Sequence, residues 1–420
     1  MMLALAIASA SARAQRDSTW RDHERALQAA RQAHDTANYR AQLNAVYRAI
    51  GATPRIATRY AALALDAGDV ASASRWMGAL AAMGDELDTG LVSRYGALAG
   101  ANAASALRPS HAFATRELGA PVIVARLPDA DMISEDVAYD AGRGRFLVSS
   151  VHRGGIVVVA NGRATTLVEP RADGTWGMFA LGVDSARGTL WATTAALPIA
   201  TGYSAADSGR SALMKYDLRT GAPSGRYVAP DSGAHVLGDL VVGGSGAVYV
   251  SDGLGGGVYA LTLGRDSLRL LVPRGSFASP QTPALSSDGA TLFVPDYSIG
   301  IAAVDVATGR ITWLTHSDSL ALTGIDGMYR VGRDLIAVQN GLEPNRIMRL
   351  GLDPSMRHVV RATTIARGPA ARSLTHATVS RGWLYFLARS GWERAADDGT
   401  MTAAPSAADA PVIARVRIAP

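Results

Sequence analysis

The chain contains no cysteine. That excludes disulfides, zinc–thiolate sites and thiol nucleophiles, and it leaves the compartment open, because a chain of 420 residues can bury a core without staples. Lysine is almost missing too. Lys215 stands alone, so Schiff-base chemistry has a single candidate. Charged residues are only 18% against 48% apolar, a balance that allows a packed core and excludes wholesale disorder. The net charge of +5 rests on scattered arginines with no block of five or six, which leaves no footprint for nucleic acid. The chain lacks His-Glu-x-x-His spacing as well. Gly243-Gly244-Ser245-Gly246-Ala247 has the look of a nucleophile elbow, but it ends in alanine and falls in a turn between strands. Gly253-Leu254-Gly255-Gly256-Gly257 precedes a strand rather than a helix, so it builds no phosphate cradle.

What is abundant is glycine, 44 residues, well above the usual share of ~7%. Such an excess suits a fold with many tight turns, since glycine takes positive φ at little steric cost. The first residues, Met1 to Ala12, form an apolar run of small side chains. Ala12-Arg13-Ala14 before Gln15 then fits a cleavage site, although no basic residue opens the segment. Residues 1–14 are therefore expected to be a signal peptide, with a frayed helix as the rival reading. A periplasmic or secreted protein follows. No other stretch reaches the ~18 apolar residues that a membrane span needs.

Residues 15–106 read as helical. Arg25–Ala33, Tyr39–Ile50, Pro54–Asp66 and Val70–Met83 each carry an apolar stripe at three- and four-residue spacing. Pro54 suits a first helical turn, and Gly68 a C-terminal cap. The run from Ala37-Asn38-Tyr39 through Pro54 to Gly68-Asp69-Val70 resembles a degenerate tetratricopeptide repeat, a helical hairpin that stacks on its neighbours. An ordinary bundle of four or five helices fits the same stripes. Residues 107–121, with Pro109, His111 and Gly119, read as a linker without periodicity.

From residue 122 to 420 the pattern turns to short β-branched runs between Gly, Asp and Asn turns. A unit then recurs: Ser134–Asp140 with Arg145–Ser149, Met178–Asp184 with Thr189–Thr193, Leu237–Gly243 with Ala247–Ser251. It continues with Pro280–Ser286 and Thr291–Pro295, Ile325–Val331 and Asp334–Gln339, and Leu374–Ser380 and Trp383–Leu387. The matching first positions lie about 43 to 59 residues apart, near the spacing of propeller blades. A mainly β fold follows: a six-bladed β-propeller behind a small all-α helical-hairpin domain, with a β-solenoid as the rival. Val412–Ile418 and Val122–Arg126 are expected to complete one blade together and latch the ring. Asp217, Asp305 and Asp353 recur after strands as turn formers.

First strands line the channel of a propeller. The aligned positions there are Glu135, Phe179, Gly238, Gln281, Asp326 and Thr375, followed by Asp136, Ala180, Asp239, Thr282, Gly327 and His376. Two acids and an amide converging on one axis make an oxygen-rich site for Ca²⁺ or Mg²⁺. The bland reading of Glu135 and Asp326 is a turn cap or an arginine pair.

The pieces Ser134–Asp140, Gly238-Asp239-Leu240, Leu285–Val294, Ile325-Asp326-Gly327-Met328 and Leu384–Trp392 resemble the gluconolactonase, regucalcin and luciferin-regenerating enzyme family. The resemblance implies one divalent metal on the axis, held by a Glu, an Asn and an Asp. By position these are Glu135, Gln281 in place of the Asn, and Asp326. A second family Asn falls at Gly238, and Asp136 stands where a glycine is usual. The resemblance further implies ring opening of a sugar lactone, with Asp326 as general base. Asp239, His235, His376, Phe179 and Thr375 would line the channel around a small-molecule ligand. For the two histidines a structural bond to a neighbouring blade is the competing role. The metal expected first is Ca²⁺, with Mg²⁺, Mn²⁺ and Zn²⁺ as alternatives. The other function class is a non-catalytic propeller that binds a ligand, or a protein partner through its helices.

Overall fold

A computed structural model describes residues 19–418, apart from 369, 370, 372, 397 and 403. The expected signal segment lies outside the described residues. The apolar stripes become six helices: α1 (Thr19–Gln32), α2 (Thr36–Ile50), α3 (Pro54–Asp66), α4 (Val70–Met83), α5 (Thr89–Ala99) and α6 (Ala101–Thr115). Short polar side chains start four of them. Asp35, Thr53, Asp69 and Asp88 each accept a bond from the backbone N–H three residues on, which satisfies one of the free donors of a helix start. Pro54 occupies the first turn of α3, where its missing N–H costs nothing. Helices pack as α1 with α2 and α3 with α4, and α4 also lies against α6. Leu43, Val46, Ile56 and Met77 are at most 1% exposed between them.

The linker expected over 107–121 is a helix for most of its length, since α6 runs to Thr115 with Pro109 inside it. Leu107 explains the difference. It is buried among the core residues of α4 and α5, and with Ala103 and Ala104 packed on the same cluster it holds the helix in place despite the backbone bond a proline removes.

The β region is six four-stranded antiparallel sheets, the six blades of a propeller. Blade 1 covers 137–168, blade 2 covers 177–227, blade 3 covers 237–272, blade 4 covers 284–313 and blade 5 covers 325–367. Blade 6 takes three strands from 377–417, and its outermost strand is Val122–Arg126, paired with Val412–Arg417. The ring is therefore latched as the sequence suggests. Its apolar core lies between blades rather than at the centre. Leu147, Leu190 and Met214 fill the layer between blades 1 and 2. Val137, Val148, Leu387 and Ile413 fill the one between 6 and 1. Alternate residues of each strand point into these layers, which leaves the axis to the polar starts of the innermost strands.

Antiparallel order puts three sets of loops on one face: the starts of the innermost strands, the turns between second and third strands, and the crossings between blades. The helices sit on that face, over blades 4 and 5. Ile299 packs with α1 to α3, and Ala321 and Leu342 pack with α3 to α6. The Tyr47 hydroxyl donates to Asp318 Oδ1 (2.8 Å), and Arg75 pairs with Asp318 Oδ2 (2.7 Å). Arg346 Nη1 donates to Met83 O (2.8 Å), beyond which Gly84 turns the chain with φ +72°. A Cβ there would come within 2.9 Å of Ala114, so the turn is tight against α6.

Candidate functional site at the propeller axis

The innermost strands begin at the axis, and side chains at or just before their first residues meet there. Register shifts fall at Met178/Leu181, Leu237/Asp239 and Ile325/Gly327, all at the helix-side end of an innermost strand. Glu135 and Asp136 come from blade 1, Asp239 from blade 3, Thr282 from blade 4, Asp326 from blade 5 and His376 from blade 6.

His376 organises them. Its Nε2 lies 3.0 Å from Asp239 Oδ1, 3.3 Å from Thr282 Oγ1, 3.7 Å from Asp326 Oδ1 and 3.9 Å from Glu135 Oε1. A blade-6 side chain that reaches groups of blades 1, 3, 4 and 5 stands on the axis itself. The ring is 1% exposed. Ligand atoms of Glu135, Asp326 and His376 lie within 4.8 Å of one another, the spacing at which one cation can touch all three.

Each acid is held differently. Asn340 Nδ2 donates to Asp326 Oδ2 (2.7 Å) and to Leu374 O (2.8 Å), while the Tyr297 hydroxyl donates to Asn340 Oδ1 (3.0 Å). That chain orients Asp326 and leaves its Oδ1 facing the imidazole. Trp392 Nε1 donates to Glu135 Oε2. Thr282 Oγ1 donates to Asp239 Oδ1 (2.8 Å). Asp136 accepts from Val137 N (2.7 Å) and Leu181 N (2.8 Å), which stitches blade 1 to blade 2.

Four carboxylates thus surround one imidazole in a largely dry site. Burial, reinforced by Asp326 and Asp239 against the opposing pull of His376, pushes the Glu135 carboxyl well above its usual range. Burial likewise pushes Asp136 up to about 7, although His376 and its two backbone bonds pull the other way. Burial alone would lower His376, but Asp239 and Asp326 outweigh it and hold the imidazole in its charged form well above its ordinary range. The acids outnumber the imidazole, so the site has room for a further positive charge. Thr375 Oγ1 and His376 Nδ1 are buried there without a hydrogen-bond partner among the described residues. On the opposite face the channel opens as a cavity of about 900 Å³, with Asp136 and Thr282 at its inner end and Tyr139, Leu285 and Arg330 on its walls.

The expected residues divide on inspection. Glu135, Asp326, Asp239 and His376 converge. Thr375 is buried beside them but makes no bond. Gln281 does not join: its amide nitrogen donates to Ser279 Oγ (2.9 Å), and the neighbouring Thr282 takes the inward position. Phe179 is part of an apolar cluster with Ile133, Val151 and Ile199. His235 is a structural residue, its Nδ1 2.7 Å from Asp252 Oδ2 and its ring edge-on to Tyr259. Asn340, Tyr297 and Trp392 had no assigned role in the sequence. Asp217, Asp305 and Asp353 are turn formers as expected, each accepting backbone N–H bonds within its own turn.

No protein-family model matches the chain, and no curated protein matches it in sequence. Among solved structures, an aldose sugar dehydrogenase from Streptomyces coelicolor in its PQQ-bound form is similar at 15% identity and TM-score 0.48, over 72% of this chain and 100% of that one. A gluconolactonase from Xanthomonas campestris is similar at 15% identity and TM-score 0.46, over 72% of this chain and 97% of that one. A luciferin-regenerating enzyme is similar at 13% identity and TM-score 0.49, over 71% and 95% respectively. These likenesses assign neither an activity nor a residue role to this chain.

Proposed function

We propose that the propeller holds a divalent cation between Glu135, Asp326 and His376 and hydrolyses a lactone or related ester at its axis. The supporting observation is the approach of three ligand atoms from blades 1, 5 and 6 to within 4.8 Å, inside an acid-rich and nearly dry site. The donor set fits a cation that displaces the His376 Nε2 proton, with two carboxylates and one then-neutral imidazole in place of the all-oxygen set expected for Ca²⁺. A nitrogen donor moves the preference toward Mn²⁺ or Zn²⁺. When bound, such a cation supplies Lewis acidity to a substrate carbonyl. The chain does the rest. Asp326, oriented by Asn340, accepts the proton of an attacking water. Glu135 stays anchored by Trp392, and Asp239 with Thr282 offers polar contacts to a hydroxylated substrate. Export belongs to the same reading through the apolar segment before Gln15.

The test measures metal content of the purified chain and turnover of sugar lactones and aryl esters with Ca²⁺, Mg²⁺, Mn²⁺ and Zn²⁺. Bound metal near one per chain and turnover lost in Asp326→Ala support the proposal. A metal-free, inactive protein sinks it. One observation favours a second reading, a non-catalytic ligand-binding propeller. His376 Nε2 sits 3.0 Å from Asp239, so a charged imidazole gives the acids an internal partner. That reading predicts ligand binding with no metal and no turnover.

A further inference from the structure

A second concentration of charge lies where the helices meet blade 5. A crevice of about 450 Å³ opens there, and its walls bring together Arg116 from the end of the helical domain and Arg346 and Arg367 from blade 5. Arg346 is 4% and Arg367 is 5% exposed. Buried guanidiniums ordinarily find a carboxylate, because an unpaired charge out of water is costly. These find only neutral acceptors. Arg346 donates to Gln339 Oε1 and Met83 O, and Arg367 donates to Arg116 O (2.7 Å) and Phe113 O (3.3 Å). Arg116 rests over the Phe113 ring, 4.5 Å from its centroid.

No ion pair reaches any of the three among the described residues. Arg361, also on the wall, is already held by Asp334 at 3.3 Å. Asp85 acts on Arg346 only at a distance, and it accepts the Glu343 N–H at 3.2 Å. Glu117, beside Gly368, is not paired with them. The carbonyls they do reach belong to the C-terminal ends of α4 and α6, whose dipoles supply about half a negative charge each. Arg116 is exposed to water, and two such ends offset about one of the two buried guanidiniums, so roughly one buried positive charge stays uncompensated. Arg346 shows the strain: burial first, then Arg367, bring its guanidinium down to about 10. Arg346 Nη2 and Arg367 Nη1 have no protein acceptor among the described residues, and Met348 and Val359 supply apolar wall beside them.

We propose that this crevice is a binding site for a small organic oxyanion, its carboxylate or phosphate head bridging Arg116, Arg346 and Arg367 and its apolar body lying against Met348 and Val359. Such a ligand would fasten the helices to blade 5. It is independent of the chemistry at the axis.

The test uses the full chain, with benzoate and phenyl phosphate as probes against chloride at matched ionic strength, read by calorimetric titration and thermal unfolding. Saturable binding with a rise in Tm is expected for at least one probe, and the stronger probe identifies the head group. Arg367→Gln should abolish the rise. Because that side chain is buried and its loss could unfold the protein, the exposed Arg116→Ala is the companion variant. It should keep its fold and weaken binding about tenfold, the worth of one charge-assisted hydrogen bond. Absence of saturable binding for both probes, or unchanged affinity in Arg116→Ala, overturns the proposal.

Discussion

The axis and the helix–blade crevice are opposite solutions to placing charge inside a protein. At the axis four carboxylates surround one imidazole, and at the crevice three guanidiniums pair with no carboxylate among the described residues. The axis can relieve its own excess. A carboxyl group binds a proton near neutral pH once burial lifts it, as with Asp136 at about 7. The crevice has no such outlet, because even a depressed guanidinium such as Arg346, at about 10, stays charged at neutral pH. The difference separates a site that adjusts to its surroundings from one that needs an outside partner.

The largest expected effect breaks the axis alone. On the proposed function, Asp326→Ala removes the proton acceptor and a cation ligand together. Turnover should fall by about 10²–10⁴-fold, and stabilisation by added Mn²⁺ or Zn²⁺ should vanish. The Tm rise produced by benzoate or phenyl phosphate should remain, and its loss would mean that the two regions are one system. Next in size is the crevice. Arg346→Met leaves Met83 O and Gln339 Oε1 without a donor, so unfolding free energy should drop by about 1–3 kcal/mol in denaturant titrations. Lactone turnover should stay near the wild-type value, and a parallel loss would tie the helices to catalysis.

A third prediction uses pH. In chelator-treated protein the folded state holds protons on Glu135 and Asp136 at pH values where the unfolded chain has lost them. Stability therefore declines as pH rises from about 4 toward 7. The raised His376 acts in the same direction at higher pH, its contribution falling from about 6.5 upward and gone once pH has passed its folded value. Asp136→Asn should flatten the decline in Tm, whereas a flat wild-type profile would contradict the account of the axis. The smallest effect belongs to neither region. Tyr47→Phe deletes one bond to Asp318 and should cost about 1 kcal/mol without changing metal or anion binding.

The six-fold repeat was legible because alternation of apolar residues and turn chemistry act locally, strand by strand. The site was half legible for a related reason. Alignment of blades gives the height of a residue along an innermost strand, but not the side it faces. A shift of one residue reverses that side, and such shifts sit at the axis end of blades 2, 3 and 5. In blade 4 the chain takes four residues from Pro280 to Ala284 against three from Asp296 to Phe293, and there Thr282 faces inward instead of Gln281, while Glu135 and Asp326 face inward as expected. Asn340 and Trp392 arrive from loops that share no pattern with the strands. The crevice was invisible, since Arg346 and Arg367 face each other only through the pairing of the two outer strands of blade 5, and Arg116 joins them only when α6 docks. The end of helix α6 reads as linker in the sequence because 107–121 has no periodicity, and the packing of Leu107 on the helical core overrides that local signal.

The latch strand has a consequence for how the chain is made. Val122 pairs with Arg415, so the outermost strand of blade 6 emerges early in synthesis and has no partner until nearly three hundred residues later. The helices before it are complete by Thr115, yet their docking loops on blades 4 and 5 are also still to come. Throughout that interval Val122 and Ile123 belong to an unpaired edge, the kind of surface on which nascent chains associate wrongly. Ring closure is thus a final, long-range event, and an interrupted chain would be left with finished helices attached to an open fan of blades.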